Sequence, residues 1–178
     1  MAYLSKREYD SVIADTTKAI GLAPNDARAY INRSNAYVSK GEYDRAIADT
    51  TKAIELDPKN ANPYANRSAA YMGKGDTNRA IADYNETIRL VPGHWTTLRN
   101  RGNAYFLVGN YDRAIADYDA IVPMDPKAAD GLYGRGMAKL KKGDIAGGNA
   151  DIAAAKAIEA DIADQFKSYG IPVIVPAR

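Results

Sequence analysis

A repeat of 34 residues constrains the fold of this 178-residue chain more than any other feature. Prolines recur at that step, at Pro24, Pro58, Pro92 and Pro126. A short Ala-Ile-Ala-Asp segment recurs at the same step. Self-similarity with a period of about 20–50 residues is typical of arrays in which each repeat buries its apolar face against its neighbours. The sequence therefore predicts a repeat array and not an ordinary globular domain.

Numbering positions 1 to 34 within each repeat divides the chain into four full repeats and a partial one. The full repeats are 27–60, 61–94, 95–128 and 129–162, and residues 1–26 are the last three-quarters of another. We expect residues 1–170 to form a single array that ends in a cap over 163–170. We expect residues 171–178 to form a tail that its prolines keep extended. The first helix of the partial repeat is cut to about one turn.

Each repeat is expected to form two antiparallel helices, here called the A-helix and the B-helix. Positions 4, 8 and 11 follow helical spacing in the first half, and positions 20, 24 and 27 do so in the second. Glycine at position 15 of every full repeat is the expected stop of the A-helix. These glycines are Gly41, Gly75, Gly109 and Gly143. Near the C-terminus, Asp161 can cap a further short helix from Ile162 to Tyr169 that Gly170 ends.

Tyrosine is far more common than the other aromatic residues, with 13 Tyr against 2 Phe and 1 Trp. Eleven of the tyrosines fall at positions 4, 11, 17 and 24 of the repeat, and only Tyr133 and Tyr169 do not. Because these positions lie on or beside the helix-packing stripe, we interpret the tyrosines mainly as packing residues.

Opposite charges recur at positions 7 and 23, which are equidistant from the turn at position 15. They therefore lie at the same height in an antiparallel hairpin. We predict a partly buried ladder of Arg–Asp pairs, within one hairpin or between neighbours; solvated surface charges are the alternative. The residues are Arg33, Arg67, Arg101 and Arg135 at position 7, and Asp15, Asp49, Asp83, Asp117 and Asp151 at position 23.

The repeat resembles that of the tetratricopeptide repeat (TPR) family, in its bacterial type. The resemblance covers residues 1 to about 162 and rests on the period, a small residue at position 8, Tyr at 11, Ala at 20, Pro at 32, and the string Asn-Arg-Ser/Gly-Asn-Ala-Tyr at 32–37 and 100–105. It implies an all-α fold, a right-handed superhelical solenoid of antiparallel helix pairs with a short C-terminal capping helix. Position 7 departs from the family, which usually has leucine there. The last repeat also departs at positions 11, 20 and 32.

The resemblance implies a protein–protein interaction module that holds an extended peptide or partner segment in a concave groove lined by the A-helices. Asparagine recurs at groove positions 6 and 9, and an amide offers both donors and an acceptor to a peptide backbone. An apolar row at position 12 would contact side chains. We therefore predict partner binding by Asn32, Asn35, Asn66, Asn100 and Asn103, with Met72 and Phe106 as apolar contacts. The alternative is that asparagine recurs there only as a polar groove residue.

The dicarboxylate clamp that some TPR proteins use for chaperone C-termini is incomplete in this sequence. Only Asn35 and Asn66 match its residue types. Ile31, Thr96 and Asn100 occupy the three positions where the clamp needs cations. We therefore do not expect a chaperone co-factor.

Composition gives no support for catalysis, a metal site or a cofactor. The chain has no cysteine and a single histidine, His94, so thiolate metal sites and a His cluster are excluded. The net charge of +2 forms no basic stripe, which disfavours nucleic acid. No stretch approaches the roughly 18 apolar residues of a membrane span, so membrane insertion is not expected. We predict a protein that is not an enzyme and carries no cofactor.

Two other roles stay open at this point. One is self-assembly into a homo-oligomer, through the truncated N-terminal edge or the C-terminal tail, and the other is a non-catalytic arm of a larger assembly. The sequence leaves the compartment unassigned: the cytoplasm is favoured, and the periplasm fits if an upstream signal has been removed.

Overall fold

A computed structural model describes residues 6–123 and 129–171 of the chain, and these residues form ten helices and no strand. The chain has two compact blocks, the N-terminal block (1–92) and the C-terminal block (93–178). The N-terminal block contains α1 (Lys6–Leu22), α2 (Ala27–Lys40), α3 (Tyr43–Leu56), α4 (Ala61–Gly73) and α5 (Thr77–Leu90). The C-terminal block contains α6 (Trp95–Leu107), α7 (Tyr111–Ile121), α8 (Ala129–Lys142), α9 (Ile145–Ile158) and α10 (Ile162–Ser168).

Every full repeat supplies one helical hairpin, as predicted. The A-helices are α2, α4, α6 and α8, and each packs against the B-helix that follows it. The glycine at position 15 has a positive φ in all four hairpins, between 74° and 91°, which confirms the predicted left-handed stop. Three of the B-helices are then capped by the side chain at position 16, which accepts a hydrogen bond from the backbone N–H three residues later, in the first helical turn. These capping residues are Asp76, Asn110 and Asp144.

The partial repeat differs at its turn. Arg7 stands where the full repeats have glycine, and α1 begins before it, at Lys6. An arginine disfavours the left-handed conformation, and α1 includes the position at which the A-helices of the full repeats stop. The shortened A-helix that we predicted ahead of α1 falls on residues 1–5, outside the described residues.

Small side chains let the helices of the N-terminal block approach one another closely. Ala46, Ala70 and Ala80 have no exposed area, and neither do Ser34 and Ser68 at position 8. The buried serine hydroxyls are satisfied locally, since each donates to a backbone carbonyl three residues earlier. The core of this block therefore combines closely packed helix backbones with the buried rings of Tyr37 and Tyr84.

The predicted arginine–aspartate ladder is confirmed, and its pairs form within each hairpin. Arg67 donates from Nε to one carboxylate oxygen of Asp83 and from Nη2 to the other, both at 2.8 Å. The equivalent pairs are Arg33–Asp49, Arg101–Asp117 and Arg135–Asp151. The four aspartates are only 4–8% exposed, so these are buried ion pairs and not solvated surface charges. Asp15, the copy in the partial repeat, is exposed and pairs with no described residue.

Each ladder arginine also makes contacts besides its ion pair, to a hydroxyl or carboxylate of the preceding repeat or to a tyrosine ring. Nη1 of Arg67 donates to Oγ1 of Thr51 in the preceding repeat at 3.2 Å, and its guanidinium lies 5.8 Å from the ring centroid of Tyr64. The hydrogen bonds that Arg67 donates to Asp83 raise the pKa of Arg67 above its ordinary value. The tyrosines at positions 4 and 11 therefore do more than pack: several also stack on the ladder cations.

The last pair of the ladder gains a second cation. Lys139 occupies position 11, where the other repeats have tyrosine, and its Nζ donates to Asp151 at 2.8 Å. Burial opposes ionisation of Asp151, but the hydrogen bonds from Arg135 and Lys139 outweigh it and hold the pKa of this carboxyl below 3.8. Asp151 therefore stays charged, although it is largely removed from water.

This arrangement predicts a change in acid stability for Lys139→Met. A carboxyl whose pKa is lowered by folding stabilises the fold above its unfolded pKa and loses that contribution as the pH falls through its folded pKa. Removing Lys139 lets the folded pKa of Asp151 rise toward 3.8, so less stability remains to be lost at low pH. Urea unfolding followed by Trp95 fluorescence, between about pH 6 and pH 2, should show a shallower acid limb for the variant. An acid limb as steep as that of the wild type would contradict this account.

The C-terminal helix confirms one part of the prediction and corrects another. Gly170 has a φ of 74° and ends the helix, as expected, although α10 stops one residue early, at Ser168. Asp161 lies at the N-cap position, but its side chain makes no capping hydrogen bond, so the predicted cap is wrong. The backbone ψ of Asp161 is 9°, outside the extended region in which a side-chain cap reaches the next turn. Residues 172–178 of the predicted tail lie outside the described residues.

Candidate partner-binding surfaces

The N-terminal block presents four of the seven predicted binding residues. Asn32 and Asn35 are exposed one turn apart on α2, and neither side chain has a hydrogen-bond partner among the described residues. Asn66 on α4 is half-buried, and its Nδ2 donates to Oγ of Ser34 at 3.3 Å. Met72 is also half-buried. We call the surface formed by Asn32, Asn35 and Asn66 the asparagine face.

An open cleft adjoins the asparagine face. Asn32 lines it together with the first turn of α2 and the middle of α1, and its volume is about 400 Å³. Asp15 and Asp26 supply its acidic groups, and Ala19 and Ala29 supply apolar surface. The face therefore combines free amides with a recess of mixed polarity, which suits a peptide that carries both backbone and side-chain groups.

In the C-terminal block, two of the predicted binding residues are buried. This corrects the expectation that Asn103 and Phe106 line an open groove. Asn103 is 7% exposed and Phe106 is 4% exposed. The Asn103 amide oxygen accepts a hydrogen bond from the hydroxyl of Tyr118 at 2.6 Å, and the Phe106 ring packs edge-on against Tyr111, with ring centroids 5.4 Å apart. Both side chains are thus engaged inside the fold. Asn100 is half-buried, and its amide oxygen lies 3.4 Å from Nε of Arg99.

Glycines explain how Tyr118 reaches Asn103. A Cβ added at Gly134 would overlap the Tyr118 ring, and one at Gly102 would lie 3.0 Å from it. The Tyr118 ring therefore occupies space that a side chain at residue 134 would need. Burial raises the pKa of Tyr118, so its hydroxyl keeps its proton and remains the donor to Asn103.

A charged group that we did not predict lies beside Asn103. Nη1 of Arg99 donates to Oδ2 of Asp130 at 2.8 Å, and both side chains are less than 20% exposed. Oδ1 of Asp130 is buried and has no hydrogen-bond partner within residues 6–123 and 129–171. The sequence did carry a signal, because Arg99 and Asp130 occupy groove positions 5 and 2 of consecutive repeats. The N-terminal block has Ile31 and Asn62 at the equivalent places.

The segment from α10 to Tyr169 lies against the Arg99 side of this charged group. The Phe166 ring of α10 has no exposed area and lies 4.8 Å from the ring centroid of Tyr133 on α8. Tyr169 follows, with its ring 5.6 Å from the guanidinium of Arg99, whose other ring contact is Trp95 at 5.3 Å. We call the surface formed by Arg99, Asn103, Asp130 and Tyr133 the α6–α8 face.

The described residues carry no sign of a histidine, metal or membrane-spanning site. His94 is exposed at the N-cap of α6, where its Nδ1 lies 2.8 Å from Oγ1 of Thr97, which is an ordinary loop position. Within residues 6–123 and 129–171, no group of three or more acidic or histidine side chains is arranged to hold a metal ion. None of the helices described is both long and apolar enough to cross a membrane.

Solved structures of TPR proteins share this fold. The crystal structure of MamA superposes with a TM-score of 0.82 at 21% identity, over 92% of this chain and 99% of that one. A tetratricopeptide repeat protein from Parabacteroides merdae gives 0.78 at 22% identity, over 93% of this chain and 68% of that one. The first TPR domain of Spaghetti (RPAP3), bound to the HSP90 peptide SRMEEVD, gives 0.61 at 25% identity, over 64% of this chain and 90% of that one. No curated protein sequence matches the chain.

Family models agree with the structural likeness. The model described as TPR repeat matches residues 34–75, and the model described as tetratricopeptide repeat matches residues 67–129 and 100–164. Together they cover more than half of the chain. Proteins of this fold are typically non-catalytic scaffolds that bind other proteins. The repeat period, the helical hairpins and these matches show that the chain belongs to the tetratricopeptide repeat family.

Proposed function

We propose that this protein binds an extended segment of a partner protein along the asparagine face of its N-terminal block. The fold supports a protein–protein interaction role in general. The observation that carries the specific proposal is the exposure of Asn32 and Asn35, whose amides are unpaired within the described residues. Two free amides one helical turn apart offer donors and acceptors at a spacing that suits a peptide backbone.

The chemistry of the face favours backbone recognition over a charge code. Asn66 uses one N–H of its side-chain amide to donate to Ser34. The amide oxygen of Asn66 is left to accept a hydrogen bond from a ligand N–H. Met72 adds a soft apolar contact. Ile31, which stands at a cation position of the chaperone clamp, is 8% exposed and carries no charge. We therefore propose a partner segment that is not selected by a terminal carboxylate.

Alanine at both free amides should weaken partner binding without harming the fold. Each substitution removes hydrogen bonds worth about 1 kcal/mol. The binding free energy should therefore fall by about 2 kcal/mol, which raises Kd roughly thirtyfold. The partner is first captured from extract of the source cells by the wild-type chain, and its Kd for the wild type and for Asn32→Ala/Asn35→Ala is then measured by calorimetry. Alanine favours helix more than asparagine does, so unfolding of α2 cannot explain a loss.

A matched control removes two exposed asparagines from other surfaces. Asn78 on α5 and Asn149 on α9 are exposed and lie on B-helices. Asn78→Ala/Asn149→Ala should bind the captured partner with the wild-type Kd. Equal affinity of the wild type and the Asn32→Ala/Asn35→Ala variant would show that the asparagine face is not the binding surface.

A further inference from the structure

The C-terminal segment lies on the A-helices of its block in the manner of a bound peptide. Phe166 contacts Tyr133 of α8, and Tyr169 contacts Arg99 of α6, so one short segment spans both A-helices. The two rings lie 5.8 Å apart and are three residues apart in sequence, which places them on one side of a helical turn. Tyr169 supplies the contact with the charged pair, through Arg99.

The covered surface corresponds to the open one in the N-terminal block. Arg99 and Asn103 occupy groove positions 5 and 9 of their repeat, and Asp130 occupies position 2 of the next. In the N-terminal block, position 9 carries the exposed Asn35. Position 9 is therefore exposed in the first full repeat, whereas in the C-terminal block the same set of groove positions is in contact with Phe166 and Tyr169 through Tyr133 and Arg99.

The segment itself is held mainly by its side chains. The helix α10 has seven residues and no side-chain cap, whereas isolated helices shorter than about 12 residues are marginal in water. Its buried anchors are Ile162, Phe166 and Ile171, each 0–1% exposed. Tyr169, by contrast, is 39% exposed. A helix that depends on a few anchors for its order is expected to detach at lower cost than the long helices of the hairpins.

One polar atom is left unsatisfied by this arrangement. Oδ1 of Asp130 is buried without a partner in the described part of the chain, while Oδ2 accepts a hydrogen bond from Arg99. A buried carboxylate oxygen without a donor is unfavourable, and the cover formed by Phe166 and Tyr169 supplies none. A segment that kept the two aromatic contacts and also brought an N–H or O–H donor would be bound more tightly than the chain's own end.

We propose that the α6–α8 face is a second protein-binding site, occupied in cis by α10 and Tyr169, and that its partner is a short segment with two aromatic side chains three residues apart. The rings take the places of Phe166 and Tyr169, one on Tyr133 and one on Arg99. The partner displaces α10, so this site is closed until a competing segment arrives. The site is separate from the asparagine face.

The test uses a fluorophore-labelled synthetic peptide of residues 160–171 and the full-length chain. Phe166→Ala/Tyr169→Ala removes both cis contacts, so the peptide should bind this variant at least tenfold more tightly than the wild type in an anisotropy titration. A control peptide with alanine in place of both aromatic residues should not bind. Bound peptide should also reduce acrylamide quenching of Trp95, the single tryptophan, because its ring and the peptide tyrosine share Arg99.

Loss of folding is separated from release of the site by a second variant. Because Tyr169 is 39% exposed, Tyr169→Ala leaves the buried anchors in place and should still bind the peptide more tightly than the wild type. Arg99→Gln, added to either variant, should weaken peptide binding again. Equal Kd values for the wild type and both cis variants, or equal binding of the alanine peptide, would overturn the proposal.

Two further measurements separate this site from the asparagine face and from self-association. Asn32→Ala/Asn35→Ala, added to the double variant, should leave peptide binding unchanged, so failure of the asparagine face and failure of this site are observed separately. Light scattering of the wild-type chain should show a monomer at all concentrations. A dimer that the labelled peptide dissociates would identify a second copy as the occupant and overturn the assignment to a separate partner.

Discussion

Asp83→Ala is expected to lower the free energy of unfolding by about 3–5 kcal/mol, the largest effect of any single substitution considered for this protein. Asp83 is 4% exposed, and its carboxylate accepts hydrogen bonds from Nε and Nη2 of Arg67, both at 2.8 Å. Removing the carboxylate leaves a largely buried guanidinium without its counter-charge, and the desolvation of that cation is then uncompensated. Urea unfolding followed by far-UV circular dichroism measures the loss.

The same helix provides the control. Glu86 on α5 pairs with Arg89 three residues later, and both side chains are well exposed, at 42% and 63%. Glu86→Ala should change stability by less than about 1 kcal/mol, because an exposed pair is screened by water. A second check is Arg67→Met in the Asp83→Ala background, which should recover part of the loss by removing the unpaired cation. If Asp83→Ala and Glu86→Ala were equally mild, the ladder would have no structural importance.

Gly136→Ala is expected to lower the free energy of unfolding by about 1–3 kcal/mol, although alanine is the better helix former. Gly136 faces Gly148 across the α8–α9 hairpin. A Cβ at Gly136 would lie 2.8 Å from the Gly148 carbonyl oxygen and 2.8 Å from Cγ1 of Ile152. A backbone oxygen cannot turn away as a side chain can, so the two helices must separate. Urea unfolding followed by Trp95 fluorescence reports the loss in the C-terminal block.

Gly21→Ala is the matched control for this substitution. Gly21 is also helical, but nothing lies within 4 Å of the Cβ that it would gain. Alanine there should raise stability by about 0.5–1 kcal/mol through helix propensity alone. The two glycine substitutions are thus expected to act in opposite directions. A gain of stability for both would show that the α8–α9 crossing tolerates a methyl group.

The hairpins and the ladder could be predicted from the sequence because both are local and repeated. Gly41 and its equivalents mark each turn, and positions that are equidistant from a turn must meet in an antiparallel hairpin. Arg33 and Asp49 are therefore brought together by sequence spacing alone. Repetition strengthens such a prediction, since one arrangement has to satisfy four copies at once.

The solvent exposure of the predicted binding residues could not be predicted from spacing along the chain. Asn35 and Asn103 share position 9, yet the first is exposed and the second is 7% exposed and bonded to Tyr118. The difference depends on what each A-helix meets, which includes the glycines that admit the Tyr118 ring. A repeat position specifies the direction of a side chain on its helix, but not whether a neighbour then covers it.

The chain's sequence determined the period, the helical hairpins, their glycine turns and the pairing of Arg with Asp, because each follows from spacing along one chain. The tertiary structure alone decided which groove residues face solvent, and that the C-terminal segment lies across Arg99 and Tyr133. The contacts of the C-terminal segment join residues that are tens of positions apart, and one partner of each lies beyond the last repeat. They depend on the free energy of packing whole helices together, which no periodic pattern encodes.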